Sequence, residues 1–225
     1  MTTVLTVEPL GGNLLGGTMH LNFGGAITTG KTVLPVNYPA TMSATSIDQG
    51  VAALNTRITL TDGPLLVFAH SQGAQVVSRW LRTHGVKDGR PPRDRVEFLL
   101  IGNPLRKYGG YGVGRPEFGG AKGQPTPTDT DYRVTDVALQ YDGWADSPTL
   151  PGMWAHANAQ QDRFGINGKR AIHAMGYRTA RLDDPRRRTF RQQSTLFVLI
   201  PHPPLLKVPA SWIEKSYQRP EKAAK

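Results

Sequence analysis

Short, wholly apolar runs alternate along this chain with segments whose apolar residues recur at helical spacing. Leu65 to Ala69 is such a run, the kind found in strands buried on both faces of a parallel sheet, and the mostly apolar Val96 to Ile101 and Thr195 to Ile200 read as strands as well. Met19 to Phe23, closed by Gly24 and Gly25, Thr32 to Tyr38, closed by Pro39, and Val134 to Tyr141 read as further strands, because glycine pairs and proline interrupt a ladder. Between them, Val51, Leu54 and Ile58 form one apolar stripe on a helix over Ser46 to Leu60, with Ser46 available as its cap. Ala74 to His84 puts Val76, Val77, Trp80 and Leu81 on one side, and Gly85 stands where a helix ends. The alternation predicts an α/β fold: a doubly wound, mainly parallel sheet flanked by helices. Gly102 to Pro127 is long and glycine-rich. It reads either as a cover over a site or as a solvated insertion.

Composition narrows the chemistry more than the fold. The 225 residues are 38% hydrophobic and 20% charged, enough for one domain with a substantial core. Cysteine is absent, so no disulfide or thiolate metal site is available and a nucleophile has to be a hydroxyl. No cluster of His and carboxylates has ligand spacing, so neither metal nor other cofactor is implied. The N-terminus lacks the basic start and apolar run of a signal peptide, and no segment is apolar for the ~18 residues of a membrane span, so a soluble protein is expected. The net charge of +10 attracts anionic partners. Zinc-finger spacing, RNA-binding signatures and interleaved basic and aromatic residues are all missing, and no nucleic-acid partner is expected. Arg178, Arg181, Arg186, Arg187, Arg188 and Arg191 form a basic cluster. It reads as a solvated surface or as an anion-binding patch.

Candidate chemistry concentrates at Ala69-His70-Ser71-Gln72-Gly73-Ala74, between an apolar strand and an amphipathic helix. That is the context of a nucleophile elbow, whose sharp turn demands small residues two positions either side of the serine. A serine that merely caps the next helix would stand in the same place. An attacking serine needs a base, and the base an orienting carboxylate. The chain order Ser, acid, His excludes His20, and His70 lies beside the nucleophile; His84, His156, His173 and His202 remain. Tyr141-Asp142-Gly143-Trp144-Ala145-Asp146 follows an apolar strand, where acids reach the carboxyl edge of the sheet.

Phe23-Gly24-Gly25, Val36-Asn37-Tyr38-Pro39, Ser71-Gln72-Gly73-Ala74, Ile101-Gly102-Asn103-Pro104, the Tyr141 to Asp146 block, and His173 with Tyr177 occur in this order. Together they resemble the PE-PPE domain family of serine esterases, relatives of the cutinases. The resemblance implies a cutinase-like α/β-hydrolase domain over 19–209, with 1–18 an N-terminal extension and 210–225 a basic C-terminal tail. It implies Ser71 as nucleophile, His173 as base and Asp146 as orienting acid, with Asp142 the rival acid. Gln72 is expected to supply one oxyanion-hole N–H, and Gly25 or Ala26 the second. His202, on a proline-rich exit from the last strand, and His84 and His156 read as surface residues.

The function expected is cleavage of carboxylic esters by a Ser-Asp-His triad through an acyl-enzyme, with an ester or lipid as substrate. The positive charge suggests docking on an anionic envelope or membrane surface. The alternative is a catalytically silent hydrolase-fold module that binds or builds within a larger assembly, associated with a virion or a cell envelope. Oligomeric state is left open.

Overall fold

The computed structural model describes residues 2–116, 122–165 and 171–222. Seven strands form one sheet: β1 (Thr3–Val7), β2 (Val33–Pro35), β3 (Leu65–His70), β4 (Val96–Ile101), β5 (Val134–Leu139), β6 (Arg188–Gln192) and β7 (Thr195–Ile200). Their order is β2-β1-β3-β4-β5-β7-β6, parallel throughout except that β6 runs antiparallel to β7. Helices α1 (Ser46–Leu60) and α2 (Gln72–Thr83) lie on one face. They share a core with Leu5, Val67, Phe98 and the fully buried Trp80. The other face packs Val4, Phe68, Ile101 and Val137 against Phe23, Ile172, Tyr177 and Ile213. Strands β3 and β4 lie inside the sheet and supply both cores: Val67 and Phe98 face the helices α1 and α2, while Phe68 and Ile101 face the other side.

Three expectations change. Met19 to Phe23 is not a strand: it lies in a kinked 3-10 segment whose Phe23 and Gly24 have positive φ. The preceding loop is held to it by the buried Glu8 carboxylate, which accepts from the Thr18 N–H at 2.7 Å and the Thr18 hydroxyl at 2.9 Å. The first strand is instead Thr3–Val7, inside the segment set apart as an extension. It pairs β3 from Thr3↔Leu65 to Val7↔Ala69, so the domain takes in residues before 19. Ser46 does not cap α1 with its side chain, because its hydroxyl accepts the Thr41 N–H at 3.1 Å.

The C-terminal segment is no loose tail. Helix α5 (Ala210–Glu214) buries Ile213, and beyond it Ser216, Tyr217, Arg219 and Glu221 are buried too. Two further helices were not read from the sequence: α3 (Met153–Phe164) and the short α4 (Tyr177–Thr179), which continues a π-helical turn over Ile172–Gly176. The glycine-rich stretch after β4 is anchored at its start. Asn103 donates to the Thr126 hydroxyl and to Asp136, each at 2.8 Å, while Arg106 reaches Asp136 at 3.1 Å and Glu221 at 2.5 Å. Residues 117–121 of that stretch lie outside the described residues. No helix among the described residues is long and apolar enough to cross a membrane.

Candidate active site

Ser71 stands between β3 and α2 at the carboxyl edge of the sheet, with φ 54 and ψ −116. A non-glycine residue at that φ carries strain of ~1–3 kcal/mol and persists only where its surroundings impose it. Here they do. The Ser71 N–H donates to the Ile101 carbonyl at 3.1 Å, and its own carbonyl accepts from Ala74 at 2.9 Å. A side chain on Gly73 would run into the Val7 carbonyl, which explains the glycine two residues on.

The serine hydroxyl lies 2.8 Å from Nε2 of His173. The other ring nitrogen, Nδ1, faces Asp142 at 3.0 Å to Oδ1 and 3.1 Å to Oδ2. An ionised carboxylate only accepts, so Nδ1 carries the hydrogen and Nε2 is left with a lone pair toward the serine O–H. Asp142 is fully buried. Burial alone would raise its pKa, but the His173 charge and hydrogen bonds from His173, Tyr177 and Trp144 bring it down to about 2. The Tyr177 hydroxyl donates to Oδ2 at 2.7 Å, and the Trp144 N–H to Oδ1 at 2.9 Å. Burial likewise works to lower the His173 pKa, and the facing Asp142 charge outweighs it, so the imidazole titrates above its usual range.

Asp146, expected from the resemblance to face the ring, does not. Its N–H bonds back to the Asp142 carbonyl at 2.7 Å, and its carboxylate turns to Arg219, at 2.7 Å from Nε and 2.5 Å from Nη2. It also accepts the Tyr141 N–H at 2.7 Å. Both side chains of that pair are buried. The rival acid is the one beside the base, and Asp146 is a tether for the C-terminal segment.

The oxyanion donors divide in the same way. Gln72 opens α2, and a first-turn N–H has no partner within its helix, so it remains free beside the serine. The Ala26 N–H is committed to the Phe23 carbonyl at 3.1 Å, and Gly25 sits in the kinked segment packed on Phe68 and Tyr177 through Phe23. The loop that leaves the strand beside the elbow is the one starting at Glu8, because β1 ends at Val7. Of the two expected second donors, Ala26 thus has its N–H engaged and Gly25 follows Met19 to Phe23, which is not a strand.

Several residues at the site carry no signature in the sequence. His70 is buried, and its Nε2 lies 3.1 Å from the His173 carbonyl oxygen; burial first, and the neighbouring His173 next, lower its pKa to about 3. Asp162 on α3 accepts the Gly143 N–H at 2.7 Å and the His173 N–H at 3.2 Å. Gly102 has φ 55, and a methyl there would sit 2.9 Å from the His70 ring and 3.0 Å from the His173 ring, so the glycine-rich stretch touches the base at its first residue. Farther along, Tyr111 packs edge-on against Trp144 at 5.5 Å, and Trp144 lies 6.0 Å from His173. His156 and His202 hydrogen-bond to backbone carbonyls of Leu150 and Pro203, away from the serine.

The profile of the PE-PPE domain matches residues 24–207. Esterase PE16 of Mycobacterium tuberculosis is 34% identical over 119 residues, 47% of this chain and 22% of that protein. PE family protein PE3 of the same organism is 33% identical over 138 residues, 57% of this chain and 28% of that protein. The chain thus aligns with only about a quarter of each relative's length. Among solved structures, a cutinase-like protein from Cryptococcus sp. aligns with a TM-score of 0.44 at 21% identity, over 64% of this chain and 78% of that one. Lysin B from Mycobacteriophage D29 aligns with a TM-score of 0.39 at 23% identity, over 48% of this chain and 47% of that one.

Proposed function

We propose that this chain, which belongs to the PE-PPE domain family, is a serine esterase that cleaves carboxylic esters through a Ser71-His173-Asp142 triad. One observation carries the reading: a strained serine hydroxyl 2.8 Å from an imidazole nitrogen whose partner nitrogen is held by a buried carboxylate. A helix-capping serine needs neither the base nor the acid.

In the reaction, Nε2 of His173 takes the proton as Ser71 Oγ attacks the ester carbonyl carbon, and Asp142 stabilises the imidazolium that forms. The carbonyl oxygen, now negative, accepts from the Gln72 N–H and from a second donor on the loop that begins at Glu8. Such preorganised donors are worth ~3–4 kcal/mol each to the transition state. Collapse breaks the bond to the alkoxy oxygen, which leaves with the proton from His173. Water then attacks the acyl-enzyme with His173 again as base, releasing the acid and restoring Ser71.

The substrate class follows as an ester or lipid, and the net charge of +10 supports docking on an anionic lipid-bearing surface. The test is labelling by a fluorophosphonate probe, together with hydrolysis of a small p-nitrophenyl ester. The wild-type chain should label and turn over, and Ser71→Ala should do neither while keeping its circular dichroism spectrum. Equal labelling of the Ser71→Ala protein would overturn the assignment.

A further inference from the structure

The triad accounts for the His173 ring but not for what fixes the residue's backbone. His173 belongs to a π-helical turn over Ile172–Gly176 that leads into α4, and such turns interrupt the regular hydrogen-bond ladder. Two side chains take up the two polar groups of His173's own backbone. Asp162 accepts its N–H at 3.2 Å to Oδ1 and 3.3 Å to Oδ2. Its carbonyl lies 3.1 Å from His70 Nε2, and a carbonyl only accepts, so His70 carries its hydrogen there. Burial keeps His70 neutral, which fixes it as a single-proton donor over the working pH range.

Asp162 does more than hold one peptide. Its Oδ2 also accepts the N–H of Gly143, the residue after Asp142, at 2.7 Å. The neighbouring Arg163 grips the Gly143 carbonyl at 2.6 Å. The end of α3 therefore joins the backbone of the acid's loop to the backbone of the base's turn. This arrangement is costly. Asp162 is 5% exposed, and burial, with the Asp142 charge next, raises its pKa to about 6. An Asn would fold with less electrostatic penalty, but its amide nitrogen would face one of two converging N–H donors. Oδ2 lies within reach of both donors, but an amide nitrogen in place of Oδ1 would confront the His173 N–H at 3.2 Å, so a carboxylate fits the pair better.

We propose that Asp162 and His70 are positioning residues for the base: they clamp the His173 backbone from opposite sides and lock it to the Asp142 loop, so that Nε2 stays aimed at Ser71. This rests on the esterase reading above. The groups that face the His173 imidazole are Asp142, Asp162, His70, Ser71 and Trp144, with Tyr177 behind Asp142 and Arg178 acting on His70. The Asp162 charge favours the imidazolium. Its removal should let His173 stay neutral to lower pH.

The experiment compares wild type with Asp162→Asn, His70→Phe and His70→Gln on a soluble p-nitrophenyl ester, across pH 5 to 9, at a temperature where thermal unfolding shows each to be folded. Asp162→Asn should lose about 10- to 100-fold in kcat, the scale of a misplaced catalytic group, with KM within about twofold, and its acid limb should move to lower pH. His70→Phe should lose kcat in the same way, and His70→Gln, which offers an amide donor at similar reach, should recover most of it. A general packing defect would not shift the acid limb or distinguish Gln from Phe. If Asp162→Asn does not fold, the two His70 variants decide alone. The proposal is overturned if wild type is active through Ser71 and the folded variants keep wild-type kcat and pH profile, or if His70→Gln is as impaired as His70→Phe. A wild-type chain with no Ser71-dependent labelling would instead remove the esterase reading beneath it.

Discussion

Asp142 and Asp146 stand four residues apart on one loop, and replacing each by Asn should injure different properties. At Asp142, Asn cannot both accept from the His173 Nδ1–H and keep the hydrogen bonds of Trp144 and Tyr177. The imidazole loses its fixed tautomer and its counter-charge. Triads so altered lose ~10⁴-fold in kcat, about 5.5 kcal/mol of transition-state stabilisation. At Asp146, Asn still offers an oxygen to the Tyr141 N–H, but Arg219 loses a buried charge partner at 2.5 Å. Breaking a buried pair from one side costs ~3–5 kcal/mol. The lower end applies, because Arg219 keeps Glu214 at 2.8 Å. In a chain of this size about 3 kcal/mol corresponds to a fall in Tm of roughly 6 to 12 °C. The assay pairs kcat at 20 °C with thermal unfolding followed by circular dichroism. The expected pattern is an inactive Asp142→Asn and a labile Asp146→Asn whose kcat stays within about tenfold of wild type. A folded Asp146→Asn that loses a thousandfold, or an Asp142→Asn that turns over normally, would refute the assignment.

Gly102→Ala should misplace the base, since its methyl would meet the His70 and His173 rings at a position with φ 55; a kcat loss of about 10-fold or more with ~1–3 kcal/mol of destabilisation is expected, and normal kinetics would show that the rings have room. The pH profile of kcat/KM should fall on the acid side through a pKa above 6.5, because the Asp142 charge outweighs burial in favouring imidazolium and only the neutral ring accepts a proton; an acid limb below 6.5 would contradict that balance. On the charge, Arg181 and Arg186 already pair with Asp183 and Asp184, so substitution of Arg187, Arg188 and Arg191 by Gln is the sharper test of docking. Retention on anionic vesicles should weaken in that variant and with salt, which screens over ~10 Å at 0.1 M, while small-ester turnover holds; the reverse pattern would assign the cluster to the active site.

Strands β3, β4 and β7 and helix α2 were legible because each imposes its own pattern: a short run dominated by apolar residues, or apolar residues returning every turn. Ser71 was legible for the same reason, as the residue between two such patterns flanked by small neighbours. His173 came from the family resemblance, and its Nε2 lies 2.8 Å from the serine hydroxyl. Strand β1 was missed because Thr3-Val4-Leu5-Thr6-Val7 is short and alternates threonine with apolar residues, and only its place between β2 and β3 buries both sides. Strand β6, rich in arginine, was likewise hidden by its exposed side. The choice between Asp142 and Asp146 lay beyond any local reading. Both carboxylates occupy the same loop, and what separates them is Arg219, 73 residues farther on, which draws Asp146 away and leaves Asp142 to His173. Periodicity and turn chemistry act over a few residues, so they were written in the sequence itself; the pairing of buried charges depends on which distant segments the packed core brings within ~3 Å, and only the tertiary structure decides that.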